Sequence, residues 1–415
     1  MKQINAAQET IAVIGAGIVG VTTALKLQKE GYKVTLIDEK GIAEGCSKGN
    51  AGHFATEQVF PLAQKGLLPH IPAMLINPLG PFKIDIRYLP KAIPWFVRFL
   101  INMKKDRFDR NKHALKSLTE LALQSWKTQL SDANLTNKIT LNGSLLTFSG
   151  SKLTAEKVLK EYVSEGVSAE LLNREQLDIL EPGIDKTINY AILFPEVGHS
   201  IDPYNLVHDL FKAYQAYGGE YIETSIININ QFDNHVTITS KTANYEYEKI
   251  VICAGAYSKN LCAYVGLNVP LEAERGYHLM VKSTSMPKRP IASFDKKLIL
   301  TPMTSGLRLA GTVEFAGVKK SMNIERAKVL FPLGKSIWPD IYEQSDSNHW
   351  MGCRPSLPDS LPVISQSLST PRVYYNFGHQ HLGLTLATIS AELITSIIKK
   401  ESNKIDVTPF RIDRF

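Results

Sequence analysis

The sequence has little of what marks secreted, metal-binding or membrane-spanning proteins. Its 415 residues include four cysteines, which form no CxxC pair and no cluster with histidine, so we expect free thiols and no metal. Residues 11–27 are apolar but lack a convincing cleavage site, and no other stretch approaches roughly eighteen consecutive apolar residues. We therefore expect neither a signal sequence nor a transmembrane helix, and we place the protein in the cytoplasm.

The charge of the chain is mild and dispersed. A net charge of +7 with a pI near 9.0 indicates a solvated surface and no nucleic-acid partner. One basic amphipathic segment, KAIPWFVRFLINMKK at residues 91–105, either leans on lipid or packs on the protein with its basic ends in solvent, and we favour packing. The lipid-facing side would consist of Trp95, Phe96, Phe99 and Leu100. A peripheral contact with the inner face of the membrane stays open.

Residues 11–40, IAVIGAGIVGVTTALKLQKEGYKVTLIDEK, have the layout of a dinucleotide-binding βαβ unit. A β-branched run leads into a glycine turn, an apolar helix and a second strand. Gly15 permits the tight turn, Gly17 leaves room for a pyrophosphate, and Gly20 lets the helix pack close to the sheet. Asp38, at the end of the second strand, is placed to accept hydrogen bonds from the adenosine ribose, which disfavours NADP.

The pattern of elements predicts an α/β fold with two domains. A Rossmann-like domain is expected to combine residues 9–56, 201–262 and 351–400. A second, substrate-binding α+β domain, built on a mainly antiparallel sheet, is expected to combine residues 57–200 and 263–350. The proline-rich segment at 350–363 predicts an extended, rigid connector rather than a helix or a central strand.

Several motifs together resemble one family. The glycine-rich loop EGCSKGNAGHF at residues 44–54 suits a backbone folded around a cofactor bulkier than NAD. The motifs, in chain order, are GAGIVG (15–20), SKGNAG (47–52), CAGAYS (253–258), RGYH (275–278), LRLAGTVEF (307–315), RPSLPDSLPVI (354–364) and GHQHLGLT (378–385). With these motifs the chain resembles the FAD-dependent D-amino-acid oxidase superfamily, and within it most closely the D-amino acid dehydrogenases.

The resemblance implies FAD as the cofactor and assigns its contacts. It implies a SxxNAG loop around the pyrophosphate and ribityl chain, and a helix N-terminus that stabilises negative charge on the flavin pyrimidine. The cofactor-binding residues expected on the two grounds together are Gly15, Gly17, Ile18, Val19, Gly20, Asp38, Glu39, Ser47, Asn50, Ala51, Gly52, Ile226, Ala254, Gly255, Gly378, His381, Leu382, Gly383, Leu384 and Thr385.

Three residues are expected at the reaction centre. Arg354 matches the arginine that grips the substrate carboxylate in related enzymes, and the alternative is a structural salt bridge. Tyr277 resembles a tyrosine that faces the ligand, and the alternative is a core residue. His53 stands where we associate a glutamine with the dehydrogenases, so it tunes the flavin or touches the substrate. His199, His278 and His379 could line the same pocket, although each alone is better explained as structural.

The reaction implied is oxidative deamination of a D-amino acid, with the Cα–H passing as hydride to flavin N5 and electrons passing on to a quinone or another respiratory acceptor. An alternative within the enzyme class is oxidation of imino or secondary amino acids, including proline-like substrates, glycine and sarcosine. A non-catalytic flavin-fold binding protein would have lost the flavin-facing turn and the carboxylate arginine, and this sequence retains both. An alcohol such as glycerol phosphate would require a basic phosphate-binding cluster that we do not find.

Overall fold

The computed structural model describes residues 8–66, 79–343 and 348–415. In chain order the strands are β1 Thr10–Ile14, β2 Lys33–Asp38, β3 His53–Phe54, β4 Phe82–Ile84, β5 Ser144–Phe148, β6 Glu170–Leu172, β7 Tyr190–Phe194, β8 Gly198–His199, β9 Glu220–Glu223, β10 Ile226–Gln231, β11 Val236–Ser240, β12 Asn244–Tyr247, β13 Lys249–Ile252, β14 Glu272–Ser283, β15 Ile291–Ser293, β16 Leu298–Met303, β17 Gly306–Phe315, β18 Ile341–Tyr342, β19 His349–Ser356, β20 Val363–Gln366 and β21 Val373–Phe377. The α-helices are α1 Ile18–Lys29, α2 Leu89–Asn102, α3 Lys105–Asp132, α4 Lys152–Ser164, α5 Arg174–Leu180, α6 Pro203–Ala216, α7 Ser258–Tyr264, α8 Ile324–Lys328, α9 Leu330–Lys335 and α10 Gly383–Lys399.

Six strands form the first sheet, in the order β20-β21-β13-β1-β2-β9. All neighbours are parallel except the β20–β21 pair. Strand β1 lies in the middle, and its residues from Ile11 to Ile14 are buried because helices or loops cover both faces. The predicted βαβ unit is therefore confirmed as β1, α1 and β2, within a Rossmann-like sheet.

Helices α1 and α10 pack together on one face of this sheet, and α3 packs on α10. Helix α3 presents Leu115, Leu118 and Trp126 to that core, and the Trp126 indole N–H donates to the Leu384 carbonyl at 2.9 Å. The segment Gln380–Lys399 is long and apolar enough to cross a membrane, but 72% of its apolar window is buried inside the protein. This burial identifies α10 as a core helix.

The packing of α3 corrects one predicted domain boundary. We expected all of residues 57–200 in the substrate-binding domain, yet α3 shares the core of the Rossmann-like sheet. Sequence periodicity shows that a helix has an apolar stripe, but it does not show which core the stripe covers.

The second sheet has ten strands, with the path β18-β14-β17-β16-β15-β5-β7-β6 and with β19 and β4 paired to β14 and β17. Its pairs are antiparallel except β5–β15 and β4–β17, which confirms the mainly antiparallel prediction. Strand β19 corrects the expectation of a connector at 350–363 and of a domain boundary at 351. Pro355 is tolerated there because β19 pairs on one side only, with β14, so the missing N–H leaves the ladder intact.

Helix α2 packs on the protein with most of the face that was considered for lipid. The Trp95 ring stacks on Phe99, its N–H donates to the Ser356 carbonyl at 3.1 Å, and Phe96 packs on Phe315. The aromatic side chains therefore face the protein, as the favoured interpretation predicts. The exposed apolar residues of α2 are Leu89, Ile93, Val97 and Leu100, of which Leu100 alone belongs to the expected lipid-facing set.

The glycine turn gives a prediction about stability. A Cβ at Gly20 would lie 1.7 Å from the Gly15 carbonyl oxygen, so Gly20→Ala must push α1 away from the sheet. We expect a loss of about 1–3 kcal/mol in unfolding free energy, seen as a lower thermal midpoint. Gly150→Ala is the matched control, because a Cβ there meets nothing within 4 Å. An equal midpoint for both variants would contradict this account of the turn.

Candidate active site

A large cavity of about 1320 Å³ runs between the two sheets. One wall comes from the ends of β1, β2, β13 and β21, and the other from β14, β17 and β19. The predicted cofactor-binding residues that border it are Gly15, Gly17, Ile18, Val19, Asp38, Glu39, Ser47, Asn50, Ala51, Ile226, Ala254, Gly255, Gly378, His381, Gly383 and Leu384. The three predicted reaction-centre residues His53, Tyr277 and Arg354 also border it. The fold thus brings most of the sequence-predicted site together.

The glycine turn forms one end of the cavity. Gly15 has a φ of 109°, which a side chain would disfavour, and a Cβ there would lie 2.6 Å from the Cys253 carbonyl oxygen. Ser47 reaches over the start of α1, where its Oγ accepts the Ile18 N–H at 2.9 Å. The amides at the beginning of a helix favour a negative charge, so this end fits a pyrophosphate.

Asp38 borders the cavity and also holds the backbone around it. Its two carboxylate oxygens accept the backbone N–H groups of Ala16 and Lys40, each at 2.8 Å. The carboxylate therefore braces the glycine turn, and its contact with a ribose stays a prediction. Glu39 also borders the cavity, where one of its carboxylate oxygens accepts the Ser225 hydroxyl at 3.1 Å.

Four predicted cofactor-binding residues do not border the cavity. Gly20 packs on the glycine turn, and Gly52 lies against the backbone, since a Cβ there would be 2.4 Å from the Ser200 carbonyl oxygen. The Thr385 hydroxyl accepts the Ala55 N–H at 3.0 Å, and Leu382 belongs to the apolar core. Each of these residues therefore has a structural role, and its contact with the cofactor stays a prediction.

Arg354 lies on β19, opposite Glu274 of β14. Its Nη1 donates to Glu274 Oε1 at 2.9 Å, and the Ser356 hydroxyl donates to the other oxygen of the same carboxylate at 2.7 Å. The guanidinium lies flat over Gly276, where a Cβ would come within 2.4 Å of Arg354 Cζ. Glu274 and Gly276 therefore fix this arginine at the cavity wall. The glycine in the motif RGYH could have indicated that another group packs closely against the strand there.

Tyr277 is the clearest correction. Its hydroxyl donates to Glu314 at 2.5 Å, and the Arg326 guanidinium lies 5.7 Å from the ring centroid. Successive residues of a strand point to opposite faces of the sheet. The neighbouring Gly276 lies on the face that contacts Arg354, so the Tyr277 side chain points to the opposite face. The prediction that the Tyr277 hydroxyl faces the ligand is therefore wrong.

Comparison with known proteins agrees with this geometry. Residues 10–397 match the family model DAO, described as FAD dependent oxidoreductase. The chain belongs to the DAO family of FAD-dependent oxidoreductases. FAD is accordingly its cofactor, and the cavity between the two sheets has the glycine turn, the helix N-terminus and the room that FAD requires.

Relatives of this DAO-family protein cover nearly its whole length. A D-amino-acid oxidase of Bradyrhizobium diazoefficiens is 32% identical over 414 residues, which are 98% of each chain. A D-amino acid dehydrogenase of Vibrio atlanticus is 24% identical, over 98% of this chain and 99% of that protein. Among solved structures, L-proline dehydrogenase from P. horikoshii has a TM-score of 0.76 at 17% identity and 98% coverage of both chains. Glycine oxidase from Geobacillus kaustophilus has a TM-score of 0.75 at 17% identity, covering 98% of this chain and all of that one.

The histidines expected in the pocket of this DAO-family protein are buried and uncharged at neutral pH, and His53, His379 and His381 border the cavity whereas His199 and His278 are not among the residues that border it. Burial lowers the pKa of His278 and His379 to about 3, and that of His53, His199 and His381 to about 4. His278 stacks on Trp350 and bonds the Gly49 carbonyl at 3.1 Å, and His379 bonds the Ser390 hydroxyl at 2.9 Å. These two have structural partners, whereas His53 borders the cavity with no hydrogen-bond partner at Nε2 among the described residues. Its catalytic role stays a prediction.

Sequence analysis missed three residues that shape this site. Glu274 orients Arg354, and Trp350 closes over Gly49, where a Cβ would lie 2.3 Å from the indole ring. Glu57 is 4% exposed and borders the cavity four residues after His53. An isolated acid in a loop gives no pattern of its own, so its burial could be found only in the structure.

The buried histidines predict acid sensitivity. Their folded-state pKa values lie below the ordinary value of 6.5, so below pH 6.5 the unfolded chain binds protons that the folded chain does not bind. The stability they contribute is complete above that pH and is lost as the pH falls toward 4. Burial raises the pKa of Glu57 to about 7 and also raises the pKa values of Asp38 and Glu181, which act in the opposite direction, but these are three groups against five. Thermal midpoints should fall steadily from pH 7 to 5, and a flat profile would contradict neutral burial.

Proposed function

We propose that this protein catalyses the FAD-dependent oxidation of D-amino acids to 2-oxo acids and ammonia. The observation that carries the proposal is Arg354, a guanidinium held at the wall of the FAD cavity. Within the described part of the chain its hydrogen-bonded acceptor is Glu274, which uses Nη1, so the other nitrogens remain for a carboxylate. Bound FAD supplies the hydride acceptor that oxidation of a Cα–H requires.

The residues of this chain then have to orient the substrate. A planar guanidinium binds a carboxylate through two parallel hydrogen bonds, which fixes both the position and the tilt of the amino acid. Glu274 accepts a hydrogen bond from that guanidinium, and Gly276 leaves room for it to pack against the strand. The group that binds the substrate carboxylate is therefore preorganised. An amine that binds neutral needs no separate base, and the imine formed by oxidation is hydrolysed by water.

The names of the relatives support the D-enantiomer. The two relatives quoted above are named for D-amino acids and align over nearly their full lengths. The structural neighbours named glycine oxidase and L-proline dehydrogenase keep the alternative of imino or secondary amino acids in view. Product analysis separates the two, because a primary amine releases ammonia and a cyclic amine leaves a cyclic imine.

For the electron acceptor we propose a quinone, met by a cytoplasmic protein at the inner face of the membrane. Helix α2 supports this proposal, since its exposed residues Leu89, Ile93, Val97 and Leu100 form part of the cavity border. The exposed basic residues nearby are Lys91, Arg98, Lys104 and Lys105. An apolar rim beside basic side chains suits a lipid-soluble acceptor and an anionic lipid surface.

Arg354→Lys tests the carboxylate anchor. Lysine keeps the charge but loses the paired geometry, so kcat/KM for a D-amino acid should fall on the order of 100-fold. A simple amine without a carboxylate should lose much less, because it never used the contact. Flavin content and the thermal midpoint serve as fold controls, and exposed Arg110→Lys is the matched substitution. If the variant sheds FAD or unfolds while the surviving fraction keeps its KM, Arg354 is a structural ion-pair partner of Glu274.

Reoxidation kinetics test the acceptor. After anaerobic reduction by a D-amino acid, a water-soluble quinone should reoxidise the flavin faster than air-saturated buffer does. The measurement is stopped-flow absorbance of the flavin, with hydrogen peroxide assayed in parallel. Rapid peroxide formation without quinone turnover would contradict the quinone proposal and leave the amino-acid oxidation intact.

A further inference from the structure

The buried carboxylates of this protein follow a rule with one exception. Six carboxylate side chains are buried in residues 8–66, 79–343 and 348–415. Five have a lysine or arginine partner: Glu181 with Arg289 at 2.8 Å, Glu272 with Lys259 at 3.3 Å, Glu274 with Arg354 at 2.9 Å, Glu314 with Arg275 at 3.2 Å and Asp359 with Arg414 at 2.7 Å. The sixth, Glu57, has no such partner among these residues. A buried carboxylate without a cation is costly, so its position calls for an explanation.

The neighbours of Glu57 are weak partners. His53 Nε2 lies 3.6 Å from Oε1, beyond hydrogen-bond distance, and burial keeps that imidazole uncharged. Gln58 Nε2 donates to the same oxygen at a long 3.4 Å, while Oε2 has no partner among the described residues. The Tyr162 hydroxyl is near enough for its pKa to be raised by the carboxylate, but donates no hydrogen bond to it. Glu57 therefore has an acceptor atom to offer to a ligand.

The cavity connects Glu57 with the carboxylate anchor. Glu57, His53, His381 and Arg354 all border it. Glu57 Oε1 lies 3.6 Å from His53 Nε2, and Glu57 Oε2 has no hydrogen-bond partner among the described residues. The wall of one cavity thus contains both a guanidinium held in place by Glu274 and a carboxyl group without a cationic partner.

We propose that Glu57 recognises a positive charge at the end of the substrate side chain. Amino acids whose side chains end in an ammonium or guanidinium group would bind with the α-carboxylate at Arg354 and the terminal cation at Glu57. This inference rests on the proposed function, which it extends by naming the substrate class.

The electrostatic situation of Glu57 favours such selectivity. Burial raises the pKa of this carboxyl group to about 7, so its ionisation near neutral pH costs free energy when no cation is present. An incoming ammonium group stabilises the ionised form and forms a charge-assisted hydrogen bond to it. A neutral side chain of the same length gives neither effect, although it can still occupy the cavity.

Two substrates and three variants test the proposal. D-Lysine and D-norleucine share a four-carbon side chain, and only D-lysine adds the terminal ammonium. The measurement is anaerobic flavin reduction in the FAD-loaded protein, fitted to kcat/KM or its reductive half-reaction equivalent. The wild-type protein should prefer D-lysine. Glu57→Gln should reduce the D-lysine value about 10–100-fold and the D-norleucine value less than about 3-fold.

Two further variants sharpen the comparison. Glu57→Asp keeps the charge one methylene further back, so it should retain more of the preference than Glu57→Gln. Glu161→Gln removes an exposed carboxylate beside Tyr162 on helix α4 and should leave the ratio of the two substrates unchanged. Flavin absorbance and thermal midpoints establish that each variant is folded and loaded.

Each contrary result has a definite meaning. An equal loss for both substrates in Glu57→Gln would show that Glu57 serves the common chemistry or the fold, and it would overturn the proposal. A wild-type preference for D-norleucine would overturn it without any variant, even if Glu57→Gln fails to fold. Flavin reduction by D-norleucine with no preference for D-lysine would reject the cation site and keep the proposed function. No reduction by either substrate would reject both.

Discussion

The contact between α1 and the glycine turn is the constraint on which the rest of the structure depends. Gly20 lies so close to the Gly15 carbonyl that no side chain fits between them, and Gly15 itself lies against the Cys253 carbonyl. These approaches bring the start of α1 to the ends of β1 and β13. The Asp38 carboxylate then bonds the turn from the neighbouring strand. A negatively charged cofactor segment therefore meets free amides at one place, which fixes where the rest of the FAD can lie.

The second sheet presents the substrate groups to that fixed point. On β14, Glu274 and Gly276 share the face that meets Arg354 of β19, while Arg275 and Tyr277 lie on the other face in a buried network with Glu314. The alternation of a strand thus separates the residues that hold the ligand arginine from those that stabilise the sheet. One strand serves both purposes because its two faces have different neighbours.

Local patterns in the sequence were sufficient for much of the fold. The βαβ unit and the α/β fold with a second, mainly antiparallel sheet follow from hydrophobic periodicity and turn residues. Two predictions were wrong for the same reason: α3 was assigned to the wrong core, and Pro355 was assigned to a connector. Both depend on which neighbour an element meets, and that information is spread over residues far apart in the chain.

In the candidate site, too, local motifs predicted some features, and other features depended on distant parts of the chain. Motifs located the residues that border the cavity, including Ser47, Ala254 and Gly378, because these segments contribute backbone and need small residues. The role expected of the Tyr277 hydroxyl was wrong, because the partner of a polar side chain depends on its direction and not on its position in a motif. Glu57 escaped notice for the opposite reason, since nothing in its sequence surroundings indicates burial.

The electrostatics of the cavity depend on how each charged or titratable group at its wall is partnered. The three histidines that border it, His53, His379 and His381, are neutral because burial lowers their pKa. Glu274 accepts one hydrogen bond from Arg354 and leaves the other nitrogens of the guanidinium for a substrate carboxylate. Glu57 borders the same cavity without a lysine or arginine partner in the described part of the chain, so it can add a binding point for a ligand that reaches it. The length and charge of the substrate side chain then decide how firmly the Cα–H is positioned.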